Sequence, residues 1–532
     1  MNGLGTATAA AATAEWSGTW VSRRLGVRLG SAAASIGPRI STDMLAADDG
    51  TGDLRALVGL ALRRNPRRAH LLVSTVLGKH VPQLPHVVHD AGLALGAQVR
   101  DVLDSDSATP VVLGYAETAT GLGHCVAEAL PGATYLHSTR RPVEGVAPLG
   151  GFEEEHSHAT SHLLLPRDPE LLSGSGPLVL VDDELSTGRT VLNTIETLHE
   201  VAPRERYVIA ALIDVRTPAD RRTMAAFAER LGARIDVVSL ATGVVELPHD
   251  ALTRGAGLVA AEEVRQDEKV RQDGEAQQVG EARQDEERTQ PSATRATRGS
   301  VVRLALDWPE GLPDGGRHGF TANHQAALEK ALPELGAQLA GGLAGARRVL
   351  VLGCEELMYV PLRLARALAD ATAHATSAAD GSAAAAAVEP ATPAAPEVRY
   401  STTTRSPVLA VDDPGYAIRT RLTFPAHDDP ADGPGDRFTY NVDPGADPAR
   451  RFDTIVLVVD STADTPALHA EGGLLDVLAG VADRVALVVV PSHVPGDAPG
   501  DASGDASGDA KGDVPGRVPS TPGNAPDSEV AV

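Results

Sequence analysis

A hydrophobic run that ends in two carboxylates, a small-residue turn and a helix constrains this chain more than any other stretch. It reads Leu178-Val179-Leu180-Val181-Asp182-Asp183-Glu184-Leu185-Ser186-Thr187-Gly188-Arg189-Thr190, followed by an amphipathic pattern from Val191 to Val201. The aliphatic residues read as a strand buried on both faces, as in a parallel sheet. The turn can aim several backbone N–H groups inward, and the helix behind it adds the positive end of its dipole. Together these suit a phosphate monoester. Ser186, Thr187 and Thr190 offer hydroxyl donors to phosphate oxygens, and Asp182 and Asp183 can accept hydrogen bonds from vicinal ribose hydroxyls. The run lacks the Gly and Lys spacing of a P-loop. An ordinary strand-turn-helix with exposed aspartates is the competing reading, and it leaves the whole ordered string unexplained.

Around this run, strands and helices alternate. The patterning predicts strands at His70–Leu77, Pro110–Ala116, Thr134–Ser138, Leu178–Asp182, Arg206–Val215 and Arg234–Leu240. Helices are expected at Val87–Val102, Leu122–Leu130, Val191–Val201 and Pro218–Leu231. Such alternation predicts βαβ units around a parallel sheet, with the active site at the carboxyl ends of the strands. A second α/β pattern follows: a strand at Arg348–Gly353, a helix from Met358 to Ala371, and strands at Val398–Ser401, Thr454–Val459 and Val485–Val490.

The expected organisation is a partly disordered lead-in over 1–30, strand-forming at Gly18–Leu29, then a first domain over 31–260. A Glu/Gln/Arg-rich segment at 261–300 reads as a solvated helix or a disordered linker, and its lack of an apolar face favours the linker. A second domain is expected over 301–495, with a flexible Ala/Pro-rich insert at 372–396, and a disordered Gly/Asp-rich tail at 496–532.

Composition narrows the function classes. A formal charge of −24 argues against a nucleic-acid wrapping surface. Cys125 and Cys354 are the only cysteines, too few for a disulfide framework or a zinc site, which fits a reducing cytoplasm. No signal-peptide pattern and no bilayer-length apolar stretch are read, so the expectation is a protein without membrane contact.

Three further stretches carry candidate chemistry. The first strand ends in Leu77-Gly78-Lys79, where glycine allows close backbone approach and Lys79 supplies positive charge, as an anion-binding loop requires. A plain strand-terminating glycine with a solvated lysine is the other reading. Glu117-Thr118-Ala119-Thr120-Gly121-Leu122-Gly123 either borders a ligand or is a turn chosen for packing, with nothing to separate the two. Arg140 and Arg141 suit a cationic loop between two strands that closes over an anionic ligand and excludes water. His156, His158 and His162 follow them in a spacing that fits no zinc pattern, so contacts to acceptor or phosphate are expected instead.

The run from Leu178 to Thr190 resembles the 5-phosphoribosyl-1-pyrophosphate (PRPP) motif of type I phosphoribosyltransferases. The stretch Arg64-Asn65-Pro66-Arg67-Arg68 through Lys79-His80-Val81-Pro82 resembles the start of a phosphoribosyltransferase-like family of bacterial tellurite-resistance and stress gene clusters. Thr404-Arg405-Ser406-Pro407 matches the signature of its companion TRSP domain, and Gly353 to Tyr359 and Tyr416 to Arg419 resemble other parts of that domain. The resemblance implies an α/β fold: a type I phosphoribosyltransferase-like parallel sheet with flanking helices, then a second α/β, TRSP-like domain. It implies Asp182 and Asp183 at the ribose hydroxyls, and Ser186, Thr187, Gly188, Arg189 and Thr190 at the 5-phosphate. Leu77, Gly78 and Lys79 would meet pyrophosphate, with Lys79, Arg140 and Arg141 stabilising it as it leaves.

The implied reaction is displacement of pyrophosphate from PRPP by a nitrogenous small-molecule acceptor, with Mg²⁺ held mainly by PRPP and by no firm protein ligand. Some purine phosphoribosyltransferases carry an Asp where this chain has Ser186, so purine salvage by that mechanism is disfavoured. The alternatives are a PRPP- or nucleotide-sensing regulator with the same pocket, and an assembly scaffold. A homodimer and partners from the same stress gene cluster are further expectations. In the second domain, Glu355, Glu356, Arg405 and Ser406 form either a second ligand site or an internal ion pair that fixes a loop.

Overall fold

Continuous aliphatic runs become strands buried on both faces, and here they build two parallel sheets. The computed structural model describes residues 15–31, 52–63, 68–103, 108–153, 161–286, 298–382, 395–428 and 435–493. The first half contributes β1 (Arg28–Ser31), β2 (Val58–Leu62), β3 (His70–Ser74), β4 (Val111–Gly114), β5 (Thr134–His137), β6 (Gly150–Glu153), β7 (Ser161–Leu164), β8 (Leu178–Leu185), β9 (Arg206–Asp214) and β10 (Arg234–Glu246). Its six-stranded sheet has the order β1-β10-β9-β8-β4-β5, with β1 antiparallel at one edge and the rest parallel. β2–β3 and β6–β7 are separate antiparallel hairpins. In the central strands, Leu178–Val181 and Tyr207–Asp214 are buried throughout, the pattern of a sheet covered by helices on both faces.

The second half contributes β11 (Ser300–Arg303), β12 (Arg348–Gly353), β13 (Glu397–Thr402), β14 (Arg421–Pro425), β15 (Asp436–Tyr440), β16 (Thr454–Asp460) and β17 (Arg484–Val490). Five of these form a parallel sheet of order β11-β17-β16-β12-β13, and β14–β15 is an antiparallel hairpin. The expected fold class is therefore the observed one.

β5 and β13 are edge strands, and an uncovered edge leaves a row of backbone groups unpaired. Each is covered from the other half of the chain. Tyr135 and Phe320 exchange N–H···O bonds of 2.9 and 2.7 Å, and the His137 amide donates to the Gly316 carbonyl at 3.1 Å. Gln83 and Tyr400 exchange bonds of 3.0 and 2.8 Å on the other sheet. Between the two sheets, the His124 ring stacks on Tyr359 with centroids 3.6 Å apart and on Tyr135 at 4.5 Å. Glu128 Oε2 accepts from the Tyr359 hydroxyl at 2.6 Å and from Arg363 at 3.1 Å, and lies 2.7 Å from His89 Nε2. One hydrophobic core runs across this seam, including Tyr135, Leu328, Tyr359 and Tyr400.

Several expectations change. Gly18–Leu29 is not a strand: Thr19–Leu25 is a helix closed by Gly26 in the left-handed region, with Trp20, Val21 and Leu25 buried, and β1 starts only at Arg28. The lead-in is thus partly built into the fold. The segment favoured as a linker is helical, since Ala251–Glu286 is one helix. Its Glu, Gln, Arg and Ala residues have high helix propensity, Ala251 is buried, and Gln266 donates to the Ala410 carbonyl at 2.7 Å. The helix expected to end at Ala371 runs Tyr359–Ser382, into the expected insert. Helix Ala322–Gly342, opened by a Thr321/His324 capping box, was not anticipated. The tail at 496–532, residues 383–394 of the insert, Arg64–Arg67, and His156 and His158 lie outside the described residues. No helix among the described residues is long and apolar enough to cross a membrane.

Candidate functional site

β8 carries the acidic pair to the carboxyl end of the first sheet, where Asp182 and Asp183 are half-buried and Asp182 still pairs with Ala211 of β9. The chain then turns through Ser186 and Thr187 to Gly188, which sits at φ +79° as the N-cap of helix Arg189–Val201. A side chain at Gly188 would be strained by that φ, and its Cβ would lie 2.9 Å from Met224 Cε. Gly188 offers no side-chain cap. Thr187 and Arg189 are exposed and Ser186 and Thr190 half-buried, so the turn presents hydroxyls on an accessible face, and the Arg189 amide donates to Thr187 Oγ1 at 3.3 Å. That arrangement can hold an anion.

β3 and the loop after it bring the second element. Gly78 takes φ +78°, and Lys79 is buried at 5% exposure. Lys79 Nζ lies 3.4 Å from Glu117 Oε1 and 3.4 Å from Thr118 Oγ1. Burial pushes the Asp183 carboxyl above its ordinary range, Lys79 pulls it back, and Glu184 adds to the rise. The charge of the loop lysine therefore reaches Asp183.

The arginines expected to act as one closing loop are separated. The Arg140 amide donates to Glu356 Oε1 at 2.8 Å, and its guanidinium lies 3.5 Å from His162 Nε2. Arg141 turns the other way, pairing with Asp460, donating to Thr462 Oγ1 at 3.1 Å, and lying 3.8 Å from Asp428. Arg141 thus contacts the second half through Asp460, Thr462 and Asp428. His162 is buried in β7, 2.8 Å from Ser138 Oγ through Nδ1.

Glu355, Glu356, Arg405 and Ser406 are brought together at the carboxyl ends of β12 and β13. Glu355 pairs with Arg405 at 2.5 Å and with Arg437 at 2.7 Å. Burial still pushes its carboxyl up to about 7. Glu356 accepts from the Thr139 hydroxyl at 2.6 Å and lies 3.4 Å from Arg317. Against the cost of burial, Arg317 and Arg141 hold it down to about 2. The Ser406 amide donates to Thr404 Oγ1 at 3.1 Å. A cleft borders this cluster, lined in part by Arg141, Cys354, Glu355, Asp428 and Asp460.

Glu117 is the residue whose position sequence reasoning left open. It is buried, and its Oε1 accepts from Thr404 Oγ1 at 2.7 Å and from the Arg405 amide at 3.2 Å. Burial opposes its charge, yet Lys79, the Thr404 hydroxyl, Arg140 and Arg405 together hold its carboxyl below the ordinary range. Its place just past β4, the strand beside β8, was the available signal. Among the described residues no group of three or more His, Cys, Asp and Glu side chains is arranged to hold a metal ion.

The chain matches the family described as "Phosphoribosyl transferase" over residues 57–244. It also matches "TRSP domain C terminus to PRTase_2" over residues 314–478. No curated protein matches it. Similar solved structures include adenine phosphoribosyltransferase from Rhodothermus marinus, at 21% identity over 36% of this chain and 96% of that chain, with a TM-score of 0.25. The Giardia lamblia enzyme complexed with 9-deazaadenine is similar at 20% identity over 36% and 96%, with a TM-score of 0.26. Orotate phosphoribosyltransferase of Mycobacterium tuberculosis in complex with PRPP is similar at 14% identity over 28% and 74%, with a TM-score of 0.17.

Proposed function

Because the chain belongs to a phosphoribosyltransferase-like family with a C-terminal TRSP domain, we propose that it binds PRPP with Mg²⁺ and transfers the phosphoribosyl group to a nitrogenous small molecule. The observation that carries this reading is the half-buried Asp182–Asp183 pair near the end of β8, followed directly by the Gly188 turn, with the charge of the buried Lys79 acting on Asp183. The turn from Ser186 to Thr190 would hold the 5-phosphate through amides, hydroxyls and the helix dipole. Asp182 and Asp183 would accept from the ribose hydroxyls and fix the sugar's orientation. Lys79 would face the pyrophosphate, where a compact ammonium offsets charge as the C1–O bond breaks. Mg²⁺, when bound with PRPP, would neutralise part of the diphosphate charge. The acceptor nitrogen forms the new bond to C1, the bonding electrons leave with pyrophosphate, and the nitrogen gives up its proton.

A PRPP- or nucleotide-sensing regulator is the second reading. The hydrogen bonds from Ser401 and Asn441 to the carbonyls of Gly78 and His80 favour it, because they tie the lysine loop directly to the second domain. A stress or tellurite-resistance setting, a cytoplasmic location and partners from the same gene cluster belong to the proposal through the family resemblance.

The test supplies isotope-labelled PRPP, Mg²⁺ and a small-molecule cell extract, and reads phosphoribosylated products by mass spectrometry. The transferase reading expects a labelled product from the parent and none from Asp183→Asn. PRPP binding without any product would replace it with the sensor, and neither binding nor product would overturn both.

A further inference from the structure

Only four of the 47 lysine and arginine residues are lysines: Lys79, Lys269, Lys330 and Lys511. One of them is buried at the candidate pyrophosphate loop. A buried ammonium needs a fixed counter-charge, and Glu117 supplies it through a single oxygen. Oε1 lies 3.4 Å from Lys79 Nζ and also receives the Thr404 hydroxyl at 2.7 Å and the Arg405 amide at 3.2 Å. Oε2 is buried and makes no hydrogen bond. Lys79 and the second domain therefore compete for one oxygen.

The same loop is clasped from the second domain at two more points. Ser401 Oγ donates to the Gly78 carbonyl at 2.7 Å, and Asn441 Nδ2 donates to the His80 carbonyl at 2.8 Å. Thr402 ends β13, and Thr404 and Arg405 follow directly. Arg405 continues the chain of contacts through Glu355 to Arg437.

We propose that Glu117 is a positioning residue for the phosphoribosyl site, and that Thr404 and the Arg405 amide set through it where Lys79 sits relative to Asp182 and Asp183. The inference rests on the PRPP reading for its functional half. A bound diphosphate draws Lys79 off Glu117 Oε1 and leaves that oxygen to Thr404 and Arg405. Occupancy of the first domain is thereby felt by the ion pairs at the carboxyl end of the second sheet. The second domain is a working part of the first domain's site.

The test uses the full chain with isotope-labelled lysine, whose four signals are few enough to assign, with Lys79→Arg identifying the Lys79 signal. Thr404→Val removes the donor at constant shape, and Thr404→Ser restores it. The Lys79 side-chain signal is expected to move in Thr404→Val and in Glu117→Gln, and to return in Thr404→Ser. Affinity for Mg²⁺-PRPP is expected to fall about tenfold in Thr404→Val, the loss of one buried hydrogen bond to a charged group, and to recover in Thr404→Ser. Thermal melting of each variant separates this from unfolding. An unmoved Lys79 signal in a folded Thr404→Val protein overturns the proposal, whatever PRPP does. A moved signal with parental PRPP affinity overturns its functional half. A moved signal in a protein whose parent fails to bind PRPP overturns the phosphoribosyl reading and leaves the cross-domain coupling established.

Discussion

Ser401 donates its hydroxyl hydrogen bond to the backbone carbonyl of Gly78 at 2.7 Å, although 323 residues separate the two. The lysine loop of one domain is therefore shaped by the edge strand of the other. The Tyr400 ring completes the fit, since a Cβ built on Gly78 would stand 2.6 Å from its Cδ1 and Cε1 atoms.

Gly78→Ala meets two penalties, a φ of +78° that disfavours any side chain and the clash with Tyr400. The expected cost is about 2–4 kcal/mol, combining left-handed strain with overpacking. Adding Tyr400→Leu should relieve the clash but not the strain, recovering part of the loss. Denaturant midpoints of both variants measure this, and a single variant as stable as the parent would remove the packing argument.

Glu128 gathers Tyr359, Arg363 and His89 on one oxygen at the domain seam. Glu128→Ala strands these donors, although Arg363 keeps Glu329 at 2.5 Å. A loss of about 2–3 kcal/mol is expected, with both domains unfolding in one transition. Two separate calorimetric transitions in the parent would contradict the single seam.

Acid should destabilise the fold through two buried histidines, at a pH where the raised Glu355 carboxyl is already protonated but the lowered carboxyls of Glu117 and Glu356 are not. Burial and the Lys79 charge hold His80 down to about 3, and burial with Arg68 and Arg63 does the same for His70, also to about 3. A depressed folded value means the unfolded chain binds the proton first. Stability is thus fully present above the unfolded value of 6.5 and is lost as pH falls toward 3. Each such histidine removes about 2 kcal/mol between neutral pH and pH ~5. Melting temperature against pH reads this out, and His80→Leu should flatten the curve. A parent equally stable at pH ~5 and at neutral pH would show that these rings are not held neutral by the fold.

What was legible in the sequence was local. β12 was expected at Arg348–Gly353 and is found there, because its aliphatic run sits between clear turn residues. The acidic pair, the Gly188 turn and the helix after it were readable because they lie within one continuous string. Contacts between Glu117 and Thr404 or between Arg141 and Asp460 join residues 287 and 319 positions apart and leave no periodic trace. Arg141 therefore looked like a loop cation beside Arg140 until the fold turned the two apart. Helix Ala251–Glu286 was one of two readings of its charged segment and the less favoured one, because amphipathicity was weighed and intrinsic propensity was not.

The most direct test of the central claim is calorimetric titration of Mg²⁺-PRPP into the parent and into Asp183→Asn. The account predicts saturable binding to the parent and at least about a tenfold weaker signal in the variant, with unchanged melting, because the lost charge orients the ribose rather than supports the fold. No binding to the folded parent, or equal binding to both, would contradict it.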